Sequence, residues 1–195
     1  MRISFLQINN SFAGQNYLPY SAALLTSYFK SNSYAANEYE FDPFIYKRDS
    51  VNNLLTTCAG AKVIALSLYA WNTRLSLAFA EAYKKAYPES FIIVGGPSVP
   101  DESEYFLRSN SFVDIALHNE GEIAFTKLLE IIISTKNYFD VPSASFIQEN
   151  IYFKNNHAPR IQDLSNIVSP FLSGSFDNLI SLNNNEKWIG LWETN

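Results

Sequence analysis

Short apolar runs alternate with longer amphipathic stretches along the first 140 residues. Five runs predict β-strands: ISFLQI (3–8), YEFDPFIY (39–46), KVIALSLY (62–69), FIIVG (91–95) and VDIALH (113–118). The stretches between them predict five helices. The first runs from Pro19 to about Lys30, the second covers 49–58, and the third begins at an Asn72 or Thr73 cap and ends at Pro88. The fourth, a short helix, begins at a capping box formed by Asp101 and Glu104, and the fifth covers GEIAFTKLLEIII (121–133). This alternation predicts an α/β fold, Rossmann-like or flavodoxin-like, with a five-stranded parallel sheet and helices on both faces.

Two of the runs indicate where their strands lie in the sheet. KVIALSLY is apolar at nearly every position, which is typical of a central parallel strand buried on both faces. Pro43 interrupts the second run and favours an edge, because proline has no N–H group for a neighbouring strand. The flavodoxin-like order 2-1-3-4-5 satisfies both conditions.

The pattern changes after about residue 140. SASFIQENIYFKN (143–155) predicts a hairpin that turns near Glu149–Asn150, and RIQDLSNIVSPFLSG (160–174) predicts an irregular connector. KWIGLW (187–192) predicts one more strand, with which the chain stops. We therefore expect a domain over 1–140, a hairpin and linker over 141–186, and the start of a truncated domain over 187–195.

Composition and charge exclude several classes of partner. The 195 residues are 47% apolar and 17% charged, with a net charge of −5 and no basic cluster, so nucleic acid is not an expected partner. MRISFLQINN lacks the apolar core of a signal peptide, and no apolar run is long enough for a membrane span. We expect a cytoplasmic protein without a membrane partner.

Cys58 is the one cysteine of the chain. A single cysteine excludes an internal disulfide and any multi-cysteine metal site, and we assign no metal ligand. With no histidine near it in sequence, Cys58 is expected to be a small packing residue rather than a nucleophile.

The unusual residues of the chain follow the predicted strands. Because the carboxyl ends of parallel strands lie at one edge, these residues should share a rim, which is where open α/β sheets bind ligands. The candidate binding residues there are Ser67, Tyr69, Trp71, Asn72, Gly95, Gly96, Pro97, Ser98, Gly121 and Glu122.

The rim residues offer binding groups rather than catalytic ones. The Gly95-Gly96 pair lets a ligand approach the main chain, Gly121 leads into a helix N-terminus, and Ser67 can donate a hydrogen bond into the crevice. Tyr69 and Trp71 supply flat apolar surface. Each feature also has a structural explanation on its own, as a plain turn, a helix start or a packing residue.

The two histidines have no predicted ligand role: His118 on the rim is expected to be structural, and His157 in KNNHAPR is expected to lie in an exposed loop.

The motifs of other protein classes that share this architecture are not found in the chain. SFAGQN, after the first strand, lacks the glycines of a dinucleotide site, and the acidic positions of a receiver domain hold Asn9-Asn10 and Tyr69-Ala70. No P-loop and no Ser/His/Asp set can be identified.

Five segments then carry a family resemblance: LSLYAWN (66–72), IIVGGPSVP (92–100), DIALHNEGE (114–122), RIQDLSNIVSPF (160–171) and GLWETN (190–195). In this order they resemble the N-terminal cobalamin-binding domain of cobalamin-dependent radical SAM enzymes of the methyltransferase type. The resemblance covers essentially the whole chain. It implies a Rossmann-like domain that holds cobalamin between the carboxyl edge of its sheet and a following radical SAM barrel.

The resemblance also implies roles for individual residues. Ser67 matches the serine of the family's third-strand motif, Gly95-Gly96 the glycine pair that lets the nucleotide tail pass, and Gly121-Glu122 the GE pair of the last helix. Trp71 or Tyr69 would cover the lower face of cobalt. NNSFAGQNYLP has no histidine where typical cobalamin modules carry DxHxxG, so no protein imidazole would ligate the metal.

Catalytic residues are not assigned within this chain. The family's CxxxCxxC motif binds a [4Fe–4S] cluster and S-adenosylmethionine, and KWIGLWETN runs toward that position without a cysteine. The resemblance therefore implies that the cluster, S-adenosylmethionine and methyl transfer belong to a downstream radical SAM domain of the same protein. The alternatives are a stand-alone flavodoxin-like module that binds a nucleotide or a partner protein, and a relative that keeps the fold without the cofactor.

Overall fold

The computed structural model describes residues 1–190. The strands of this part are β1 (Arg2–Leu6), β2 (Ser11–Phe12), β3 (Gln15–Tyr17), β4 (Glu40–Phe41), β5 (Val63–Ser67), β6 (Phe91–Gly95), β7 (Ile115–Leu117), β8 (Ala144–Gln148), β9 (Ile151–Lys154) and β10 (Lys187–Ile189). The helices are α1 (Tyr20–Asn32), α2 (Val51–Thr57), α3 (Thr73–Ala86), α4 (Glu104–Ser109), α5 (Gly121–Ile133) and α6 (Asp177–Leu182). None of the helices in this range is long and apolar enough to cross a membrane.

The central sheet has the order β4-β1-β5-β6-β7-β8-β9. Its first five strands are parallel, with the register Ser4↔Ile64 and Ile64↔Ile92 at the centre. They correspond to the predicted order 2-1-3-4-5, so the fold class is confirmed. The strand that precedes Pro43 lies at the edge, as predicted.

Alternate residues of each central strand enter two separate cores, because strand side chains alternate between faces. One face, with Phe5, Ala65 and Ile93, packs against α1 and α5. The opposite face, with Ile64 and Val94, packs against α2, α3 and α4. Helices therefore cover both faces, and the cores leave the carboxyl ends of β1, β5, β6 and β7 side by side at one edge.

The predicted hairpin is present and extends this same sheet. β8 pairs antiparallel with β7 and with β9. Glu149 and Asn150 form its two-residue turn, with φ values of 50° and 64°, where left-handed backbone matches the twist of the strands. The division of the chain at residue 140 stays a prediction, although β8 and β9 belong to the sheet of the first segment.

A second, smaller sheet has the order β10-β3-β2. β2 and β3 form a hairpin after β1, and β10 pairs parallel with β3. The predicted strand KWIGLW is thus observed over Lys187–Ile189, while 191–192 and the rest of the final segment to 195 lie outside the described residues.

Asn72 is the N-cap residue of α3, as predicted, but its side chain makes no cap hydrogen bond and instead bonds to the segments after β1 and β5. Asp101 and Glu104 form no capping box, because α4 begins after Ser103 and the Glu104 carboxylate pairs with Arg108 one turn later.

Cys58 ends α2 and is fully buried, as its predicted packing role requires. Burial raises the pKa of its thiol to about 11, so the thiol is protonated at neutral pH.

Candidate functional site

A cavity of about 510 Å³ opens at the carboxyl edge of the central sheet, between the strand ends, α1 and α5. Its inner wall is apolar and includes Phe5, Leu24, Ala65, Ile93 and Phe125. Seven of the ten predicted binding residues line it: Ser67, Tyr69, Gly95, Gly96, Pro97, Gly121 and Glu122. The fold thus brings most of the predicted site together around one space, as parallel strands with a common edge require.

Four polar side chains form a hydrogen-bonded cluster in the cavity wall, which we call the Gln7 cluster: Gln7, Ser21, Ser67 and Tyr69. Gln7 follows β1 and Ser21 lies in the first turn of α1. The Gln7 Oε1 accepts from the Ser21 hydroxyl at 2.8 Å and from the Ala22 backbone N–H at 3.0 Å. These bonds join the end of β1 to the start of α1.

The Gln7 cluster has a defined direction of hydrogen bonding. The Ser21 hydroxyl has a single proton, which it donates to Gln7, so it can only accept from the two neighbouring hydroxyls. Ser67 and Tyr69 therefore donate to the Ser21 Oγ, at 3.3 and 3.2 Å. From the sequence, Ser67 was expected to donate a hydrogen bond into the crevice. In this arrangement its proton points to Ser21 instead. Both bonds are long for hydroxyl groups, so a ligand can redirect these two protons.

Tyr69 and Trp71 form a stacked aromatic pair at the rim. Their ring centroids are 4.7 Å apart with an interplanar angle of 11°. The Trp71 indole N–H donates to the Ile8 carbonyl oxygen at 3.2 Å, and 44% of the residue is exposed. Trp71 does not line the cavity itself; its ring is fixed beside the opening by the stack and the hydrogen bond.

Asn72 is buried and serves the loops rather than the cavity. Its Oδ1 accepts from the Tyr69 backbone N–H at 2.9 Å, and its Nδ2 donates to the carbonyl oxygens of Ile8 and Ser67 at 2.9 and 3.0 Å. Because the whole amide is used, Asn72 orders the loops after β1 and β5, and it is not among the residues that line the cavity.

Gly95 and Gly96 differ in how much space surrounds the position of a Cβ atom. A Cβ atom at Gly96, where φ is +100°, would lie 2.7 Å from the Leu68 carbonyl oxygen. A Cβ at Gly95 would meet nothing closer than the Leu117 carbonyl oxygen at 3.6 Å. Gly95 is on the same face of β6 as Ile93, so its missing side chain leaves the cavity open, whereas Gly96 is required by the fold of the loop.

The remaining predicted residues lie around the opening. Pro97 is exposed on the cavity lip, and Ser98 is outside the cavity, where its backbone N–H donates to the Leu68 carbonyl oxygen at 3.1 Å. Gly121 begins α5, and a Cβ there would lie 3.1 Å from the Leu25 Cδ2, so α1 and α5 approach closely at this point. Glu122 is nearly buried and lines the cavity.

His118 is buried and is not among the residues that line the cavity. Its Nε2 lies 2.9 Å from the Ser145 Oγ, and its Nδ1 has no hydrogen-bond partner. Burial lowers the pKa of the imidazole, which favours its neutral form. His157 is exposed, and its Nδ1 lies 2.8 Å from the Asn119 Nδ2. Both positions agree with the structural roles expected from the sequence.

Sequence reasoning missed Gln7 and Ser21. Gln7 lies inside an apolar run that ends at Ile8, and Ser21 lies fourteen residues later, so no local spacing connects them. The polar residue near the end of ISFLQI was the one available indication.

Comparison with known proteins adds relatives for nearly the whole chain. No protein-family model matches it. It is 32% identical over 190 residues to the cobalamin-dependent radical SAM methyltransferase TokK of Streptomyces tokunonensis. It is 31% identical to the 2-(S-pantetheinyl)-carbapenam-3-carboxylate methyltransferase of Streptantibioticus cattleyicolor. Each match covers 94% of this chain and 28% of the relative, so the chain spans little more than a quarter of the length of these proteins.

Solved structures share the fold at low identity. The cobalamin-dependent S-adenosylmethionine radical enzyme OxsB, with aqua-cobalamin and S-adenosylmethionine bound, matches with a TM-score of 0.69 and 15% identity, over 91% of this chain and 25% of its own. TsrM from Kitasatospora setae, with cobalamin and a [4Fe-4S] cluster bound, matches with a TM-score of 0.62 and 11% identity, over 83% of this chain and 30% of its own. The resemblance stated from the residues is thereby confirmed.

Proposed function

We propose that this chain is a cobalamin-binding domain and that its cavity receives the nucleotide tail of the cofactor. The observation that carries the proposal is the space beside Gly95, where an apolar wall and a strand end without a side chain adjoin the Gln7 cluster. A flat base needs apolar surface, and its ribose and phosphate need hydrogen-bonding groups near the opening.

The residues of the rim would hold the corrin ring. Tyr69 and Trp71, already stacked, place a rigid aromatic surface beside the opening, where we propose that they lie below the ring and keep water from cobalt. Among residues 1–190 the lining of the cavity includes no histidine, and we propose that no protein imidazole ligates cobalt. Bound cobalamin supplies a metal centre through which a methyl group can be carried.

For the whole protein we propose cobalamin-dependent radical SAM methyl transfer. The support is the two curated methyltransferases that match 94% of this chain. The iron–sulfur cluster and S-adenosylmethionine would be bound by a downstream radical SAM domain, which is the proposed partner of the rim. The present chain would position cobalamin, and the substrate would be chosen elsewhere.

The test is retention of cobalamin by purified protein. Wild-type chain is mixed with hydroxocobalamin and desalted, and we expect corrin absorbance to elute with the protein. Gly95→Leu should abolish retention, because the fold has room for a Cβ there and the longer side chain fills the cavity. Gly190→Leu, which lies outside the cavity and has an ordinary φ, is the matched control and should bind as wild type does. A wild-type protein that retains no corrin would refute the proposal.

A further inference from the structure

The side-chain nitrogen of Gln7 is a hydrogen-bond donor that the protein orients but does not use. The Oε1 is identified by the Ala22 backbone N–H, which can only donate, so the other atom of the amide must be the nitrogen. Within residues 1–190 the Gln7 side chain makes hydrogen bonds through this oxygen only. Its two N–H groups are therefore free while its orientation is fixed.

This nitrogen keeps contact with the cavity. Gln7 is 2% exposed and lines the cavity wall. In the described part of the chain, the side-chain atoms that lack both a hydrogen bond and solvent contact belong to Tyr46, Ser76, Ser90, His118, Thr126 and Trp188, and not to Gln7. A donor at such a depth is unfavourable unless a ligand or water accepts from it.

Before a ligand binds, the rest of the Gln7 cluster offers oxygens rather than protons. The hydroxyl protons of Ser67 and Tyr69 point to Ser21, so both residues present lone pairs to the cavity. Gln7 is thus the one member of the cluster with donors that are not already engaged.

We propose that Gln7 recognises a hydrogen-bond acceptor on the nucleotide tail and so makes the domain selective for complete cobalamin over corrinoids that lack the nucleotide. The inference rests on the proposed function and names a specificity residue within that site. The acceptor is a ring nitrogen or an oxygen of the ribose or phosphate. Because Gln7 is almost fully buried while Gly96, Pro97 and Trp71 are exposed at the rim, only an inserted part of the ligand can reach it.

The decisive variant is Gln7→Glu. A carboxylate keeps the acceptor for Ser21 and Ala22, and its charge is favourable next to the N-terminal turn of α1. What changes is the free end, where two N–H donors become an oxygen. Gln7→Met, which is uncharged and of similar length, is the second variant, and Gln148→Glu on the exposed end of β8 is the matched control.

Affinities for hydroxocobalamin and for cobinamide, which has the corrin but no nucleotide, are measured by absorbance titration. We expect both Gln7 variants to lose at least about tenfold in affinity for cobalamin and to stay within about twofold of wild type for cobinamide. Gln148→Glu should change neither. The ratio of the two affinities remains informative if part of a variant unfolds, because unfolded protein lowers both equally.

Two results would overturn the inference. One is cobalamin affinity within twofold of wild type in both variants, and the other is an equal loss for cobalamin and cobinamide. Wild-type protein that binds neither corrinoid would instead remove the proposed function, so the two failures can be told apart.

Discussion

At the scale of single residues, neighbouring groups of the same type have different roles. Gly96 is required by the main chain, since its Cβ would overlap the Leu68 backbone, and Gly95 is required by the cavity. In the Gln7 cluster, the Gln7 amide is held by two bonds of 2.8 and 3.0 Å, while Ser67 and Tyr69 are held by bonds of 3.3 and 3.2 Å. The cavity wall therefore combines one fixed group with two that can rotate.

Gly96→Ala should destabilise the protein by at least about 2 kcal/mol, because it adds a Cβ to a left-handed backbone and a contact of 2.7 Å to the Leu68 carbonyl oxygen. Urea unfolding measures this change. Gly14→Ala is the control: φ is +74° there and nothing lies within 4 Å of the added atom, so it isolates the backbone cost at about 1 kcal/mol. Equal costs at both positions would contradict the role given to Leu68.

At the scale of elements, the site depends on how the loops after β1 and β5 are joined to each other and to α1. Asn72 orders its own loop through hydrogen bonds with Tyr69 and Ser67 and connects it to the loop after β1 through one bond to the Ile8 carbonyl oxygen. Gln7 connects β1 to α1, and Trp71 adds a bond to the Ile8 carbonyl oxygen. The strand ends are thus fixed relative to one another by side chains as well as by the sheet.

Asn72→Ala should lower the free energy of unfolding by about 2–4 kcal/mol, since it removes three hydrogen bonds from a buried position and leaves the Tyr69 N–H without its acceptor. The change is measured by chemical denaturation. Asn52→Ala on the exposed face of α2 is the matched control and should stay within about 0.5 kcal/mol of wild type. A cost below about 1 kcal/mol at Asn72 would show that the loops are held without it.

At the scale of the whole molecule, residues after the β8–β9 hairpin belong to the core between the central sheet and the helices α1 and α5. Phe176 and Leu179 are buried with Phe29 and Phe44 against the α1 face of the sheet. β10 pairs with β3, and Glu186 contacts both Asn16 and Lys47. Residues of the predicted linker therefore pack against this core, while the division of the chain into a domain and a linker stays a prediction.

Phe176→Ala should cost about 3–5 kcal/mol, because a buried aromatic side chain is lost from this core. Leu172→Ala, a few residues earlier and 89% exposed, should change stability by less than about 0.5 kcal/mol. Thermal and urea unfolding of the two variants compare them directly. Similar small effects for both would mean that the segment packs only loosely on the domain.

The central sheet could be predicted from the sequence because each strand is indicated by its own residues and their immediate neighbours. KVIALSLY and Pro43 indicate a central and an edge strand from their own residues, and the glycines mark a strand end. The β2–β3 hairpin was missed because Ser11–Phe12 and Gln15–Tyr17 are too short to show alternation. The bond of Asn72 to Ile8 and the bonds of Gln7 to α1 could not be predicted, because these partners are distant in sequence and only the fold brings them near.

The pairing of β10 with β3 has a consequence for how the chain folds during synthesis. Lys187–Ile189 leave the ribosome roughly 170 residues after Gln15–Tyr17. At about 5–20 residues per second, roughly 10–30 seconds separate the two strands. The parallel sheet can assemble in that interval, but the hairpin after β1 acquires β10 as its neighbour only when that strand emerges. Until then the edge of β3 that will pair with β10 is open, and a chaperone or another nascent chain can bind there.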